Sequence, residues 1–177
     1  LGLLEEKGDE IFANADSVIV EVDMDKDIIK KVVALAKQYN KKLYGVVSNM
    51  SIAVERRDFL KHFDCFICNQ LEAGMLFMED YADKSPEELR DILSKRVILG
   101  KIPAMIVTMG GNGAVYADVN GEKGICPPQR VRVKDTTGAG DAFCAGVASG
   151  LTYGKTLSEA VEIGSRLAAS VITSSEN

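Results

Sequence analysis

Residues 16–48 read DSVIVEVDMDKDIIKKVVALAKQYNKKLYGVVS and contain two strand patterns separated by a helix pattern. The run DSVIVEV (16–22) is rich in β-branched residues and predicts a buried strand. Asp27 to Tyr39 then places apolar residues at helical spacing, and KLYGVVS (42–48) predicts a second strand. A strand, a helix and a further strand in this order are typical of a crossover between parallel strands. The stretch therefore predicts an α/β fold with a parallel sheet.

The alternation of strand and helix patterns continues along the rest of the chain. The further predicted elements are a helix over Ile52 to Phe63, a strand over CFICN (65–69), a helix opened by SPEELRDIL (85–93), a strand over AMIVTMGG (104–111) that runs into a glycine-rich turn, a hairpin over 113–124 with its turn at Asn120-Gly121, a strand over RVRVKD (130–135), and helices over 138–151 and 156–172. Capping boxes are predicted at Ser85/Glu88 and Thr156/Glu159. This order predicts helices on both faces of the sheet.

The composition excludes several classes of protein. The chain has 177 residues, of which 46% are hydrophobic and 27% charged, as in ordinary globular proteins. The net charge of −5 argues against non-specific binding to nucleic acid or to anionic membranes. No apolar run approaches the roughly 20 residues that span a bilayer, and no signal peptide is visible. We therefore expect a cytoplasmic protein with reduced thiols and neither a nucleic-acid nor a membrane partner.

The stretch VKDTTGAGDAF (133–143) places a Gly-Ala-Gly turn where a strand gives way to a helix. Gly138, Ala139 and Gly140 would present backbone N–H groups at a helix N-terminus, where donors and the helix dipole favour an anion. Asp141 follows just inside the helix, where an ionised carboxylate is stabilised and can accept a proton. An anion site beside a base suits transfer of a phosphoryl group to a hydroxyl. The structural alternative is a helix N-cap Asp after a flexible turn.

The string DTTGAGDAF (135–143) resembles the C-terminal signature of the PfkB family of carbohydrate and nucleoside kinases, which includes ribokinase. Three further features occur in the order found in that family. They are Asn69-Gln70-Leu71-Glu72, similar to its N-x-x-E motif; Thr108-Met109-Gly110-Gly111-Asn112-Gly113, similar to its T-x-G-x-x-G nucleotide loop; and AVEIGSRLAASVITSS (160–175), similar to the segment that flanks the adenine. The resemblance implies a ribokinase-like (Rossmann-like) three-layer α/β/α fold with a mostly parallel central sheet.

The resemblance also implies an activity, its cofactors and its site residues. The activity is ATP-dependent phosphorylation of a hydroxyl on a small-molecule sugar or nucleoside, with magnesium and, in many members, a potassium-like cation. The implied roles are Asp141 as the catalytic base; Gly138, Ala139 and Gly140 as the anion hole for the γ-phosphoryl group; Thr108, Gly110 and Gly113 along the ATP phosphates; Asn69 and Glu72 around magnesium and its waters; and Asp135 and Thr137 at the monovalent cation. Ser165 stands near a place where many members have Asn, so no nucleobase contact is assigned to it.

The acceptor-binding half of the family, with a glycine pair, an early aspartate and a small β-sheet lid, precedes this region and has no counterpart in residues 1–177. We expect residues 1–177 to be a single α/β domain, the C-terminal ATP-binding and catalytic-base portion of a kinase, weak or inactive alone. The alternative is a non-catalytic nucleotide-binding fragment or regulatory module. A homodimer is compatible with the family. The stretches 109–124 and 126–143 are similar to pseudouridine kinases.

Other candidate sites are weaker. Cys65 and Cys68 lack the second ligand pair of a zinc site, and their spacing of three along a strand points the thiols to opposite faces. His62 is the single histidine and has no nucleophile elbow beside it. The first strand–helix unit, EVDMDKDIIKK (21–31), lacks the G-x-G-x-x-G of dinucleotide-binding domains, which argues against a nicotinamide enzyme.

Overall fold

The computed structural model describes residues 1–55, 57–130 and 138–173. Six strands form one sheet in the order β1-β2-β3-β4-β5-β6. Strands β1 to β4 are parallel, and β5 and β6 are antiparallel to their neighbours. The strands are β1 (Ser17–Glu21), β2 (Lys42–Val46), β3 (Cys65–Asn69), β4 (Ala104–Thr108), β5 (Ala114–Asp118) and β6 (Lys123–Cys126). The prediction of a mostly parallel sheet is confirmed.

Helices cover both faces of this sheet. The α-helices are α1 (Gly2–Asn14), α2 (Lys26–Gln38), α3 (Met50–Val54), α4 (Gln70–Phe77), α5 (Pro86–Gly100), α6 (Ala139–Thr152) and α7 (Leu157–Thr173). On one face, α1 to α5 pack on a core that includes Phe66 and Cys68; on the other, α6 and α7 pack on a core that includes Cys65 and Ile67. Successive strand residues therefore enter different cores, as expected for a sheet buried on both sides.

The same alternation separates the two cysteines of the C-x-x-C pair. Cys65 and Cys68 are both buried free thiols, and each lies in the core of a different face. Burial raises the pKa of each thiol, so both are held in the protonated form. The prediction of opposite orientations is confirmed.

Capping and turn motifs in the sequence predicted the starts of two helices and the position of one hairpin turn correctly. The side chain of Ser85 accepts from Glu88 N and that of Glu88 accepts from Ser85 N, which is the predicted capping box of α5. Thr156 and Glu159 form the same reciprocal pair before α7. The hairpin between β5 and β6 turns at the predicted position, where Gly121 has a φ of 93°.

The prediction of a single helix over 52–63 is wrong. The described part of this segment contains α3, which ends at Val54, and a separate 3-10 helix over Arg57–His62. Leu60, in the 3-10 helix, and Phe63, which directly follows it, are both buried. Their separation of three residues is the period of a 3-10 helix. Helices α1 and α4 were not predicted. Most of the strand predicted over 130–135 lies outside the described residues.

Helices α6 and α7 pack with their backbones in contact. A Cβ atom on Gly146 would lie 2.7 Å from Gly164 Cα, and one on Gly164 would lie 2.7 Å from the Phe143 carbonyl oxygen. Because only glycine fits at both positions, the spacing between α6 and α7 is fixed by the sequence.

Among the described residues, no helix has both the length and the apolar character needed to cross a bilayer.

Candidate functional site

A cleft of about 590 Å³ opens at the carboxyl ends of the parallel strands. Ligands of open α/β sheets bind at this edge. The lining residues come from β1 to β4, from the residues that follow them and from the start of α6; they are Ile19, Glu21, Val46, Val47, Ser48, Ile67, Cys68, Asn69, Glu72, Thr108, Gly140, Asp141, Phe143, Cys144 and Ala145. The cleft therefore gathers polar groups that are distant in the sequence.

The start of α6 supplies an anion-binding element to this cleft. Gly138 is the N-cap residue with φ 82°, and its carbonyl accepts from Ala142 N at 2.9 Å. Gly140 and Asp141 are exposed and line the cleft, whereas Ala139 is partly buried and is not among the lining residues. The first-turn N–H groups of a helix lack intrahelical partners, so this end of α6 is suited to a phosphate group.

The N-x-x-E motif has a structural role that the sequence interpretation did not include. Asn69 Oδ1 accepts from Glu72 N at 2.8 Å, and Glu72 Oε1 accepts from Asn69 N at 2.8 Å. This capping box begins α4 and holds both side chains at the cleft. The capping box could have been predicted, because Asn69 is followed three residues later by Glu72 directly after a strand.

The glycine-rich loop after β4 forms a second, adjoining cleft of about 330 Å³. Thr108 and Asn69 line both clefts, and Gly110 lines the second. Gly113 is not among the lining residues of either. Its φ is 88° and a Cβ there would lie 2.1 Å from the Cys126 carbonyl oxygen. Only glycine therefore allows the backbone of this loop to pack against the end of β6. Asp135 and Thr137 lie outside the described residues.

Two polar residues of the cleft were missed from the sequence. Ser48 donates through its hydroxyl to Asp23 Oδ2 at 2.9 Å and to Glu21 Oε2 at 3.3 Å, and its N–H donates to Asp23 Oδ1 at 3.1 Å. Partial burial raises the pKa of the Asp23 carboxyl, but its hydrogen bonds from Ser48 and from the N–H groups of Asp23 and Asn49 together lower that pKa below its ordinary value. Glu21 and Ser48 line the cleft. Both residues lie at the ends of predicted strands, and this was the sequence signal that could have indicated their place in the cleft.

The carboxylates of the cleft fit magnesium bound together with nucleotide phosphates. Within the described ranges, no three His, Cys, Asp or Glu side chains converge as a ready-made metal site. Magnesium commonly keeps several waters and is held by one or two carboxylates plus substrate phosphates. Glu72 and Asn69 line the cleft close to the start of α6, so one carboxylate and one amide oxygen match that donor set.

Cys144 lies one helical turn after Asp141 and lines the same cleft. Burial, together with the nearby carboxylates of Asp141 and Glu72, raises the pKa of its thiol to about 11. The thiol is therefore protonated at neutral pH and is a poor nucleophile. This arrangement argues that the cleft does not use cysteine chemistry.

We expect alkylation of Cys144 by iodoacetamide at pH 7.5 to be slow. With a pKa of about 11, the thiolate fraction of Cys144 is about 300-fold below that of a free cysteine. The thiolate of a high-pKa cysteine is intrinsically more nucleophilic, but this raises the alkylation rate only about tenfold. The logarithm of the rate should rise linearly between pH 7 and 9.5 as the thiolate forms, measured by mass spectrometry. A Cys144→Ser chain is the control, since the other three cysteines are buried. A plateau below pH 9.5 would contradict the assignment.

His62 lies away from this cleft. Its Nδ1 is 3.4 Å from Lys37 Nζ. Burial lowers the pKa of His62, and the charges of Lys37 and Lys61 lower it further. It is therefore neutral at pH 7 and is not part of the site.

Comparisons with known proteins agree with this geometry. A family model described as pfkB family carbohydrate kinase matches residues 3–177. Guanosine-inosine kinase of Exiguobacterium acetylicum is 34% identical over 165 residues, which are 92% of this chain and 53% of that protein. Pseudouridine kinase of Escherichia coli (strain K12) is 42% identical over 57 residues, 32% of this chain and 18% of that protein.

A solved structure shows the same fold. The Arabidopsis thaliana ribokinase complexed with ribose and ATP superimposes with a TM-score of 0.80 and 21% identity, over 94% of this chain and 53% of the ribokinase chain. The predicted ribokinase-like α/β fold is confirmed. The chain spans about half the length of guanosine-inosine kinase and of this ribokinase.

Proposed function

This chain belongs to the pfkB family of carbohydrate kinases, and from this membership we propose that it is the nucleotide-binding and catalytic-base portion of an ATP-dependent kinase. The reaction is phosphorylation of a hydroxyl group on a sugar or a nucleoside. The observation that supports it best is the cleft in which Gly140 and Asp141, at the start of α6, lie with Asn69 and Glu72. An anion-binding helix end, a base and a further carboxylate are the parts that phosphoryl transfer needs.

In the proposed mechanism Asp141 accepts the proton of the acceptor hydroxyl. The hydroxyl oxygen forms a bond to the γ-phosphorus while the bond from that phosphorus to the β,γ-bridging oxygen breaks, and ADP leaves. The N–H groups at Gly138, Ala139 and Gly140 donate to the oxygens of the transferring group, whose negative charge they stabilise. Thr108, Gly110 and Gly113 are proposed to position the other phosphates, Gly113 by fixing the loop.

Glu72 and Asn69 are proposed to hold magnesium through its water shell. The ion would neutralise charge on the β- and γ-phosphates during transfer. Glu72 Oε1 is used in the capping box, so Oε2 is the oxygen that we assign to the metal waters. Asp135 and Thr137 are proposed as ligands of a potassium-like cation.

Replacing Glu72 separates its two roles. Glu72→Gln retains the capping box, because glutamine also serves at this position, but removes the charge. In a full-length kinase we expect kcat to fall about 10–100-fold and the apparent affinity for magnesium to weaken, with the melting temperature nearly unchanged. Glu72→Ala should lose the same activity and also about 1 kcal/mol of stability. Equal kcat for Glu72→Gln and wild type across a magnesium titration would refute the metal role.

The acceptor is proposed to be a nucleoside or a sugar. The relatives include kinases named for guanosine and inosine and for pseudouridine, so these are the first compounds to test. The test joins the chain to the acceptor-binding half of its own full-length protein and measures ADP release with guanosine, inosine, pseudouridine and ribose. A folded full-length protein that binds ATP but phosphorylates none of a broad panel of sugars and nucleosides would refute the kinase proposal.

A non-catalytic nucleotide-binding module is the second candidate, because the elements proposed to hold the nucleotide, the start of α6 and the loop after β4, line the two clefts without any contribution from an acceptor pocket. Calorimetry with ADP and a coupled assay of phosphoryl transfer separate the two. Binding without transfer by the 177-residue chain, even after the acceptor-binding half is supplied, would favour the module.

A further inference from the structure

Glu21, the last residue of β1, stands on the face of the sheet that carries α6. Val20 and Val22 on either side of it are buried in the core beneath α1 to α5, and side chains alternate between the two faces along a strand. Its register partner on β2, Val46, packs against the core of the α6 face. The carboxylate of Glu21 therefore points toward the helix that holds Asp141, and both residues line the same cleft.

The hydroxyl of Ser48 cannot donate to both of the carboxylates beside it at once. Ser48 Oγ lies 2.9 Å from Asp23 Oδ2 and 3.3 Å from Glu21 Oε2. A hydroxyl has one proton to donate, and the shorter distance directs that proton to Asp23. Asp23 also accepts the N–H of Ser48, so it holds Ser48 in place beside Glu21. The exposed carboxylate of Glu21 can therefore accept a hydrogen bond from a ligand in the cleft.

The start of α6 lies close to the end of β3, between the two sides of the cleft. Besides burial, the carboxylates of Asp141 and Glu72 raise the pKa of the Cys144 thiol, so the three side chains lie close together. Glu72 belongs to α4, which directly follows β3. Strands β1 and β2 lie on one side of β3, and β4 lies on the other. Because neighbouring strands are about 4.8 Å apart, β1 and β4 are separated by about 14 Å. A phosphoryl group at α6 therefore has Thr108 on one side and Glu21 on the other.

The geometry of phosphoryl transfer decides which substrate meets Glu21. The attacking and leaving oxygens lie roughly in line, on opposite sides of the transferring phosphorus. The leaving oxygen belongs to the nucleotide, which the proposed mechanism places along Thr108 and the loop after β4. The attacking hydroxyl, and the acceptor that carries it, must then lie toward β1 and β2. Among the described lining residues of that side, Glu21 and Ser48 carry the polar side chains.

This side of the cleft suits an uncharged acceptor. A carboxylate accepts hydrogen bonds and donates none, so Glu21 binds a group that offers a hydroxyl or N–H hydrogen. A carboxylate or phosphate on the acceptor would be placed beside a like charge, which is unfavourable. The charged side chains among the described lining residues are Glu21, Glu72 and Asp141, and all three carry carboxylates. Ile19 and Val47 add apolar surface for a sugar ring or the face of a base.

We propose that Glu21 determines acceptor specificity: it accepts a hydrogen bond from an uncharged sugar or nucleoside and excludes acceptors that carry a carboxylate or a phosphate group. Ser48, held by Asp23, is a positioning residue that orients the Glu21 carboxylate at the end of β1. This inference rests on the proposed function, which supplies the direction from which the acceptor enters. It narrows the acceptor from any sugar or nucleoside to the uncharged ones.

Matched pairs of acceptors test this specificity in a full-length protein that contains this chain. Each pair combines an uncharged compound with an anionic relative: ribose with ribonate, fructose with fructose 6-phosphate, and uridine with orotidine. We expect kcat/KM for the uncharged member to exceed that for the anionic member at least about 100-fold, because a like charge placed beside Glu21 is strongly unfavourable. An anionic member that is used equally well or better would overturn the proposal.

Substitution of Glu21 assigns the specificity to this side chain. Glu21→Gln keeps the size but removes the charge. For whichever of guanosine, inosine, pseudouridine and ribose is the best substrate, KM should rise about tenfold, while KM for ATP stays within about twofold. The preference for uncharged over anionic acceptors should fall at least about tenfold. An unchanged preference in Glu21→Gln would overturn the assignment.

Two further substitutions control this result. Asp16→Asn removes the same charge from an exposed residue at the opposite end of β1 and should change every kinetic constant by less than about twofold. Ser48→Ala should lower the preference for uncharged acceptors in the same direction as Glu21→Gln, and Ser48→Thr, which keeps the hydroxyl, should restore it. A loss of stability without a change in preference for Ser48→Ala would show that Ser48 does not position Glu21.

Acceptor binding separates failure of this inference from failure of the proposed function. Calorimetry in the presence of ADP measures the affinity for guanosine, inosine, pseudouridine and ribose without turnover. Binding that Glu21→Gln weakens about tenfold, without phosphoryl transfer by the wild type, would refute the kinase function and retain the role of Glu21. Transfer to one of these acceptors with kinetics that Glu21→Gln leaves unchanged would refute the role of Glu21 and retain the kinase function. Binding of none of them would overturn the role of Glu21 as well.

Discussion

If Asp141 is the proposed general base, replacing it with asparagine in a full-length protein that contains this chain is expected to lower kcat by about 10³- to 10⁴-fold, the upper range for loss of a general base. Asparagine keeps the size and the first-turn position of the side chain but cannot accept the hydroxyl proton. The dissociation constant for ADP should change less than about threefold, since the first-turn N–H groups of α6 remain. Steady-state kinetics and calorimetry measure the two quantities.

Asp27→Asn is a matched control for this change. Asp27 is also an exposed aspartate in the first turn of a helix that follows a parallel strand, but it does not line the cleft. It should alter kcat by less than about twofold, as expected for a substitution outside the site. Retention of more than a tenth of wild-type kcat in Asp141→Asn would show that another group takes the proton.

Replacing Gly113 with alanine is expected to lower the free energy of unfolding by about 3 kcal/mol or more, by strain and by a backbone collision. The residue has φ 88°, and the added Cβ would meet the Cys126 carbonyl oxygen at 2.1 Å and Pro128 N at 2.9 Å. Neither atom belongs to a flexible side chain, so the end of β6 must move. Urea denaturation of the 177-residue chain measures the change.

The neighbouring glycines separate the causes of this loss. Gly110 has φ 57° with open space around it, so Gly110→Ala adds strain alone and should cost about 1 kcal/mol. Gly111 has open space and no left-handed φ, so Gly111→Ala should be neutral within about 0.5 kcal/mol. Equal stabilities of the three variants would show that the contact of Gly113 with β6 is not formed in solution.

The parallel strands could be predicted from the sequence because each is a short β-branched or apolar run between helical patterns. Helix α1 could not, because only Gly8 and Phe12 are buried while Leu3 and Ile11 are exposed, which blurs the helical periodicity. Helix α4 was missed although its capping box was visible. Its apolar residues surround the helix, with Leu71 71% exposed, so periodicity gave no signal.

The candidate site could be predicted only where local motifs carry it. Gly140 and Asp141 belong to one motif, and Asn69 and Glu72 to another, and the structure brings both to one cleft. Glu21 and Ser48 could not be paired in advance, because their contact depends on β1 and β2 being neighbours in register, a property of the sheet.

The contact between Gly146 and Gly164 has a consequence for how α6 can move. Helix α6, whose first turn holds the aspartate, cannot slide along α7 without a collision of main-chain atoms. The two helices therefore move together, so a displacement of α7 also displaces the first turn of α6 and Asp141 within it.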